Sequence, residues 1–151
     1  GDGNNMTHSL MYAAAKTGMN FVAATPADYA PDEGVTQRAQ EDAKGTGASI
    51  ALVTDPFAAA KDADILVTDT WASMGQEAEH EERKKIFAPY QINGDLLAAA
   101  DKRAIVMHCL PAYRGEEITE DVLERFSNVI FDEAENRLHT QKAIMALLMA
   151  D

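Results

Sequence analysis

Short, partly β-branched apolar runs alternate with segments of helical periodicity along almost the whole chain, and that alternation is what most narrows its possible folds. Residues 20–24, 49–53, 65–67, 104–107 and 129–131 read as strands. Between them the spacing predicts helices from Asn4 and Asn5 to Gly18, over 32–44, 55–61, 80–87, 94–100 and 119–126. A last helix runs from Glu135, with Leu138, Ile144, Leu147 and Leu148 facing inward. Asp55-Pro56, Asn93 and Thr119 supply helix starts, and Gly18 and Gly45 supply stops. Strands separated by helices at this pitch pair in parallel and are covered on both faces. The predicted class is therefore α/β, a Rossmann-like three-layer domain with a mostly parallel sheet. At 151 residues the chain suits one domain spanning 1–151.

The run 104–107 breaks into His108, Cys109 and a Leu110-Pro111 step, where proline ends the ladder. A histidine and the only cysteine thus stand at the carboxyl end of a strand, the edge at which open parallel sheets place their ligands. The same topology gathers three other segments there: Asn4 with Asn5 at a helix start, Asp69 to Gly75 after the third strand, and Asp132 to Arg137 near the last helix. Together they offer a carboxylate for an ammonium group, amides and a hydroxyl for a carboxylate, a thiol, an imidazole and a guanidinium. That inventory suits an amino acid. Arg137, read as a first-turn residue of the last helix, opposes the helix dipole there and so calls for an anionic partner. Taken singly, Cys109 also reads as a buried thiol, His108 as a core histidine and Asp69 as a loop cap.

Composition excludes several classes. One cysteine forms no internal disulfide and no cysteine-rich zinc site. His80 and His139 have no partner at metal-ligand spacing. A formal charge of -12 argues against a nucleic-acid partner, which requires a basic footprint. No apolar run of membrane-spanning length and no charged-then-apolar leader is seen, so neither a membrane span nor a signal peptide is expected and a cytoplasmic setting is the default. The run Glu77 to Lys85 reads as a solvated, charged helix face, and Trp71 as packing.

The blocks Gly1-Asp2-Gly3-Asn4-Asn5, Asp69-Thr70-Trp71-Ala72-Ser73-Met74-Gly75, His108-Cys109-Leu110-Pro111 and Glu135-Asn136-Arg137 resemble the ornithine-binding half of the ornithine carbamoyltransferase family, from the first residue to the last. The Ser-Met-Gly segment separates the chain from the aspartate branch. The resemblance implies that Asn5 and the backbone at Met74 hold the α-carboxylate of L-ornithine, with Asp69 and Ser73 on its α-ammonium and Asn4 as a neighbour. It places Cys109 beside the δ-amine, and Cys109, Leu110 and Arg137 on the carbamoyl group of carbamoyl phosphate. His108 belongs to the matched motif and is carried over with Cys109 and Arg137 as catalytic. The resemblance further implies no metal and no cofactor, arginine metabolism, a homotrimer, and a partner domain that binds carbamoyl phosphate.

Two family elements do not occur in this sequence: a Ser-Thr-Arg-Thr-Arg phosphate loop with its His-x-x-Gln pair, and the apolar strand that precedes the Gly-Asp-Gly-Asn-Asn turn. The expectations are a chain inactive by itself and a sheet whose first strand is missing, leaving two neighbours with exposed edges. The rival readings are a sister carbamoyltransferase acting on putrescine or acetylornithine, and a non-catalytic ligand-binding or assembly module.

Overall fold

The computed structural model describes residues 1–72 and 77–150. Helix α1 (Asn5–Thr17) starts at an Asn4 cap whose side chain accepts from the Met6 and Thr7 amides. It ends at Gly18, where φ of 81° is open to a residue without Cβ. Strand β1 (Phe21–Ala24) follows, then α2 (Glu33–Lys44) capped by Asp32, and β2 (Ile50–Val53). Helix α3 (Pro56–Ala60) takes its cap from Asp55 and leads to β3 (Ile65–Thr68). Helices α4 (His80–Phe87) and α5 (Gly94–Ala99) precede β4 (Ile105–His108), and α6 (Glu120–Arg125) and α7 (Ser127–Leu148) complete the chain. Element order and most boundaries match the expected alternation.

Pairing is parallel throughout the named strands, β1 with β2 and β3 with β4, as two separate two-stranded ladders. Each ladder has its own core. Met11, Ala14 and Ala15 of α1 pack on Ala39 and Ala43 of α2 and on Ile50, small residues that let the helices approach closely. Leu66 and Val106 of the second ladder pack on Leu96, Val122, Leu123 and Ile130. Gly3 fixes the entry to the first half: its N–H donates to the Tyr29 carbonyl at 2.9 Å. A Cβ built there would lie 2.3 Å from Pro31 N, so only glycine fits.

Three expectations are corrected. Residues 129–131 form no strand; they lie in the first turns of α7. A β-branched run this short has no ladder partner there, whereas helical spacing places Ile130 one turn beyond Phe126, both inside the second core. Arg137 is accordingly an interior residue of a 22-residue helix, not a first-turn one, and the dipole argument for it lapses. Finally, Leu138, Ile144, Leu147 and Leu148 face outward, Leu147 and Leu148 being 80% and 81% exposed, because α7 runs on past the core that buries Ile130.

The charged helix 80–87 also departs from the solvated reading. Arg83 and Phe87 sit one turn apart on its inner face, both buried. The Arg83 guanidinium pairs with Asp2, donates to the Trp71 carbonyl, and lies over the Tyr29 and Phe87 rings at 5.0 and 5.1 Å. Trp71 is core packing as expected, stacked on Phe87.

Candidate functional site

The register Thr68↔His108 sets the two strand ends of the second ladder level, so the next residues, Asp69 and Cys109, leave the sheet side by side. The Cys109 thiol donates to Asp69 Oδ1 at 3.2 Å. That oxygen also accepts the Thr70 amide at 2.7 Å, while Asp69 Oδ2 accepts Asn4 Nδ2 at 3.3 Å. Asn4 thereby does two jobs, capping α1 through Oδ1 and reaching across to the second ladder through Nδ2. Asn5 stands exposed at the first position of α1, next to the free backbone N–H groups that favour an anion. From the opposite side Arg137 reaches down from α7 and donates through Nη1 to the Cys109 carbonyl at 3.0 Å.

Asn4, Asp69, Cys109 and Arg137 therefore converge on one edge, with Asn5 beside them. Ser73 and Met74 lie outside the described residues. Glu133, one helical turn before Arg137 on α7, adds a carboxyl that sequence reasoning had not singled out; burial lifts its pKa above the usual range.

The electrostatics are lopsided. Burial, the hydrogen bond to Asp69, and the Asp69 and Glu133 carboxylates push the Cys109 thiol up to about 12, with Arg137 only partly opposing. The sulfur is thus a donor, held as a thiol. What the cluster provides is an anionic floor suited to an ammonium group and, beside it, a guanidinium bonded to the Cys109 carbonyl oxygen.

Leu110 follows in a left-handed backbone conformation, φ 55°, before a cis peptide to Pro111. For a residue with a Cβ this conformation costs about 1–2 kcal/mol, and such costs gather at sites where geometry matters. His108 lies behind this turn with no solvent exposure, its ring engaged at both nitrogens: Nδ1 accepts the Leu110 amide and Nε2 meets Glu117, each at 2.9 Å. It belongs to the frame of the site rather than to its open face. Glu117 was missed because nothing in its spacing marks it. Arg83 had a signal, since positions 83 and 87 form an inward pair on α4.

Among the described residues no cluster of three or more metal-ligating side chains occurs, and no helix is long and apolar enough to cross a membrane.

The family model for the aspartate/ornithine carbamoyltransferase Asp/Orn binding domain matches residues 1–148. The chain is 57% identical over 149 residues to an ornithine carbamoyltransferase of Thermococcus kodakarensis, covering 99% of this chain and 47% of the relative. It is 56% identical to an anabolic ornithine carbamoyltransferase of Pyrococcus furiosus, with the same coverage. Among solved structures, an anabolic ornithine carbamoyltransferase of Campylobacter jejuni superposes with a TM-score of 0.94 at 42% identity, over 98% of this chain and 49% of that one. The chain spans about half the length of the relatives it matches.

Proposed function

The chain belongs to the family of aspartate/ornithine carbamoyltransferase Asp/Orn binding domains, and from that premise we propose that residues 1–151 form the ornithine-binding half of an ornithine carbamoyltransferase. The whole enzyme transfers the carbamoyl group of carbamoyl phosphate to the δ-amine of L-ornithine, giving L-citrulline and phosphate. The observation that carries this reading is the meeting of Asp69, Cys109 and Arg137 around one strand edge.

Asp69 supplies the negative charge for the α-ammonium, and the Ser73 hydroxyl a neutral acceptor for it. Asn5 and the Met74 backbone take the α-carboxylate. Cys109, kept as a thiol, orients the δ-amine rather than removing its proton. A primary amine has a pKa near ~10.4, so presenting it neutral at pH 7 costs on the order of 4–5 kcal/mol, and proton transfer toward the phosphate lowers that cost. The neutral nitrogen attacks the carbamoyl carbon, the C–N bond forms, the C–O bond to phosphate breaks, and the nitrogen's proton departs with the phosphate. Arg137 and the Leu110 carbonyl contact the carbamoyl group, Arg137 stabilising charge that builds on its oxygen.

The partner domain that binds carbamoyl phosphate, a homotrimer and a cytoplasmic setting complete the proposal, supported by the block resemblance. The test is citrulline formation by the full-length protein, assayed beside putrescine and acetylornithine as acceptors. Preference for ornithine by two orders of magnitude or more supports the reading. Preference for either rival amine overturns it. This chain alone is expected to show no steady turnover.

A further inference from the structure

Leu110 holds its left-handed φ of 55° without the freedom of glycine, so something must hold it. Its N–H donates to His108 Nδ1 at 2.9 Å. A ring nitrogen that accepts carries no proton, which puts the ring's proton on Nε2, and Nε2 donates to Glu117 Oε1 at 2.9 Å. The same carboxylate oxygen accepts the Tyr113 amide at 2.6 Å, on the far side of the Leu110-Pro111 turn. His108 and Glu117 are both wholly buried, so no water replaces either bond. Glu117 is itself pinned, its carbonyl accepting the Ile92 amide at 2.9 Å. One buried oxygen therefore grips the turn at both ends. On the outer side of that turn stand the Cys109 thiol, bonded to Asp69, and the Cys109 carbonyl, bonded to Arg137.

From these contacts we propose that Glu117, acting through the His108 ring, is a positioning residue of the transfer reaction. It fixes the tautomer that accepts the Leu110 amide, and so holds Leu110 in the conformation that presents the Leu110 carbonyl to the carbamoyl group. The inference rests on the carbamoyltransferase reading. Neither side chain touches reacting atoms, since both lie behind the turn. Displacing such a turn by about 1 Å is enough to cost on the order of 100-fold in rate, while the groups assigned to the α-carboxylate and α-ammonium lie on other segments.

The test uses the full-length protein. In Glu117→Ala, kcat is expected to fall on the order of 100-fold with the ornithine KM changed less than about threefold, whereas Glu117→Gln, which still offers one oxygen to both donors, retains activity within about tenfold. Adding Leu110→Gly to Glu117→Ala restores at least about tenfold, because glycine takes the left-handed conformation unaided. A wild-type kcat in Glu117→Ala, equal losses in the Ala and Gln variants, or no gain from Leu110→Gly each overturns the proposal.

Should Glu117→Ala fail to fold, two substitutions of the ring replace it. His108→Asn places an accepting oxygen where Nδ1 accepts, His108→Gln a donating amide nitrogen where Nε2 donates, and the Asn variant is expected to be about tenfold or more the faster; equal rates overturn the proposal. Crystal structures of the Ala and Gln variants separate this inference from the reaction. Leu110 leaves positive φ in the first and keeps it in the second, a result readable even if the wild-type protein transfers no carbamoyl group; a Leu110 unmoved in both overturns the clamp.

Discussion

The Cys109 thiol donates a hydrogen bond to the carboxylate of Asp69 across 3.2 Å, and the parallel register of β3 with β4 is what makes the two residues neighbours. A thiol pushed up to about 12 has almost no thiolate near neutrality. Alkylation by iodoacetamide at pH 7.5 is expected to be on the order of a thousandfold slower than for an unperturbed cysteine. Its rate should climb about tenfold per pH unit above that point, as the thiolate fraction does. Asp69→Asn removes a nearby negative charge and leaves only a neutral amide oxygen as acceptor, so alkylation at fixed pH should accelerate. A wild-type rate equal to that of a free thiol, or an unchanged rate in Asp69→Asn, contradicts the assignment.

Arg137 makes its site contact from an exposed stretch of α7, which separates its chemistry from the stability of the fold. Arg137→Ala should leave the urea unfolding free energy within about 0.5 kcal/mol while lowering kcat of the full-length protein on the order of 100- to 1,000-fold. Arg137→Lys should recover little, since a single ammonium lacks the planar fork that can face a carbonyl oxygen of the protein and one of the substrate together. Steady-state kinetics beside denaturation curves decide it.

Much of the arrangement was legible in the residues themselves. The helix caps at Asp55 and Asn93, the helix starts at Asn4, Asp32 and Thr119, and the places of β1 to β4 follow from local chemistry, because each depends on neighbours a few positions away, although the Thr119 side chain makes no capping bond. The meeting of Asp69 with Cys109 followed from topology, as consecutive parallel strands must end together. What could not be read was decided by distant partners. Val129 to Phe131 has the composition of a strand, yet Ile130 is drawn into a helix by packing against Phe126 and the core around Val122. Arg83 looked solvated in a run of charges until Asp2, 81 positions away, supplied its counter-charge. Glu117 was invisible for the same reason, its role set by a ring nine residues earlier.

The buried Arg83 and Asp2 pair yields a stability prediction. Asp2→Ala leaves the buried guanidinium only the exposed Glu79 carboxylate at 3.7 Å as a counter-charge and should cost up to about 3–5 kcal/mol, whereas Asp2→Ala with Arg83→Met should cost less than the single change. Urea denaturation of the three proteins measures the difference. If the double variant is the less stable one, Arg83 is held chiefly by its aromatic and carbonyl contacts.

Gly3 offers a second, independent handle on the same corner. A methyl group there meets the backbone of Tyr29, Ala30 and Pro31, none of which swings aside like a side chain. Gly3→Ala is expected to destabilise by at least about 1–3 kcal/mol, read as a lowered urea midpoint, and to disturb Asn4 and Asn5 one residue on. An unaltered midpoint would show that the 29–31 segment yields.

The outward half of α7 has a thermodynamic consequence of its own. Leu138, Met145, Leu147, Leu148 and Met149 keep more than half of their surface in water. Every square ångström of that ridge later shielded releases roughly 25 cal/mol. A strongly acidic protein normally stays dispersed through mutual repulsion. Here the tip of one rod works against the charge of -12, so light scattering should grow with added salt instead of diminishing.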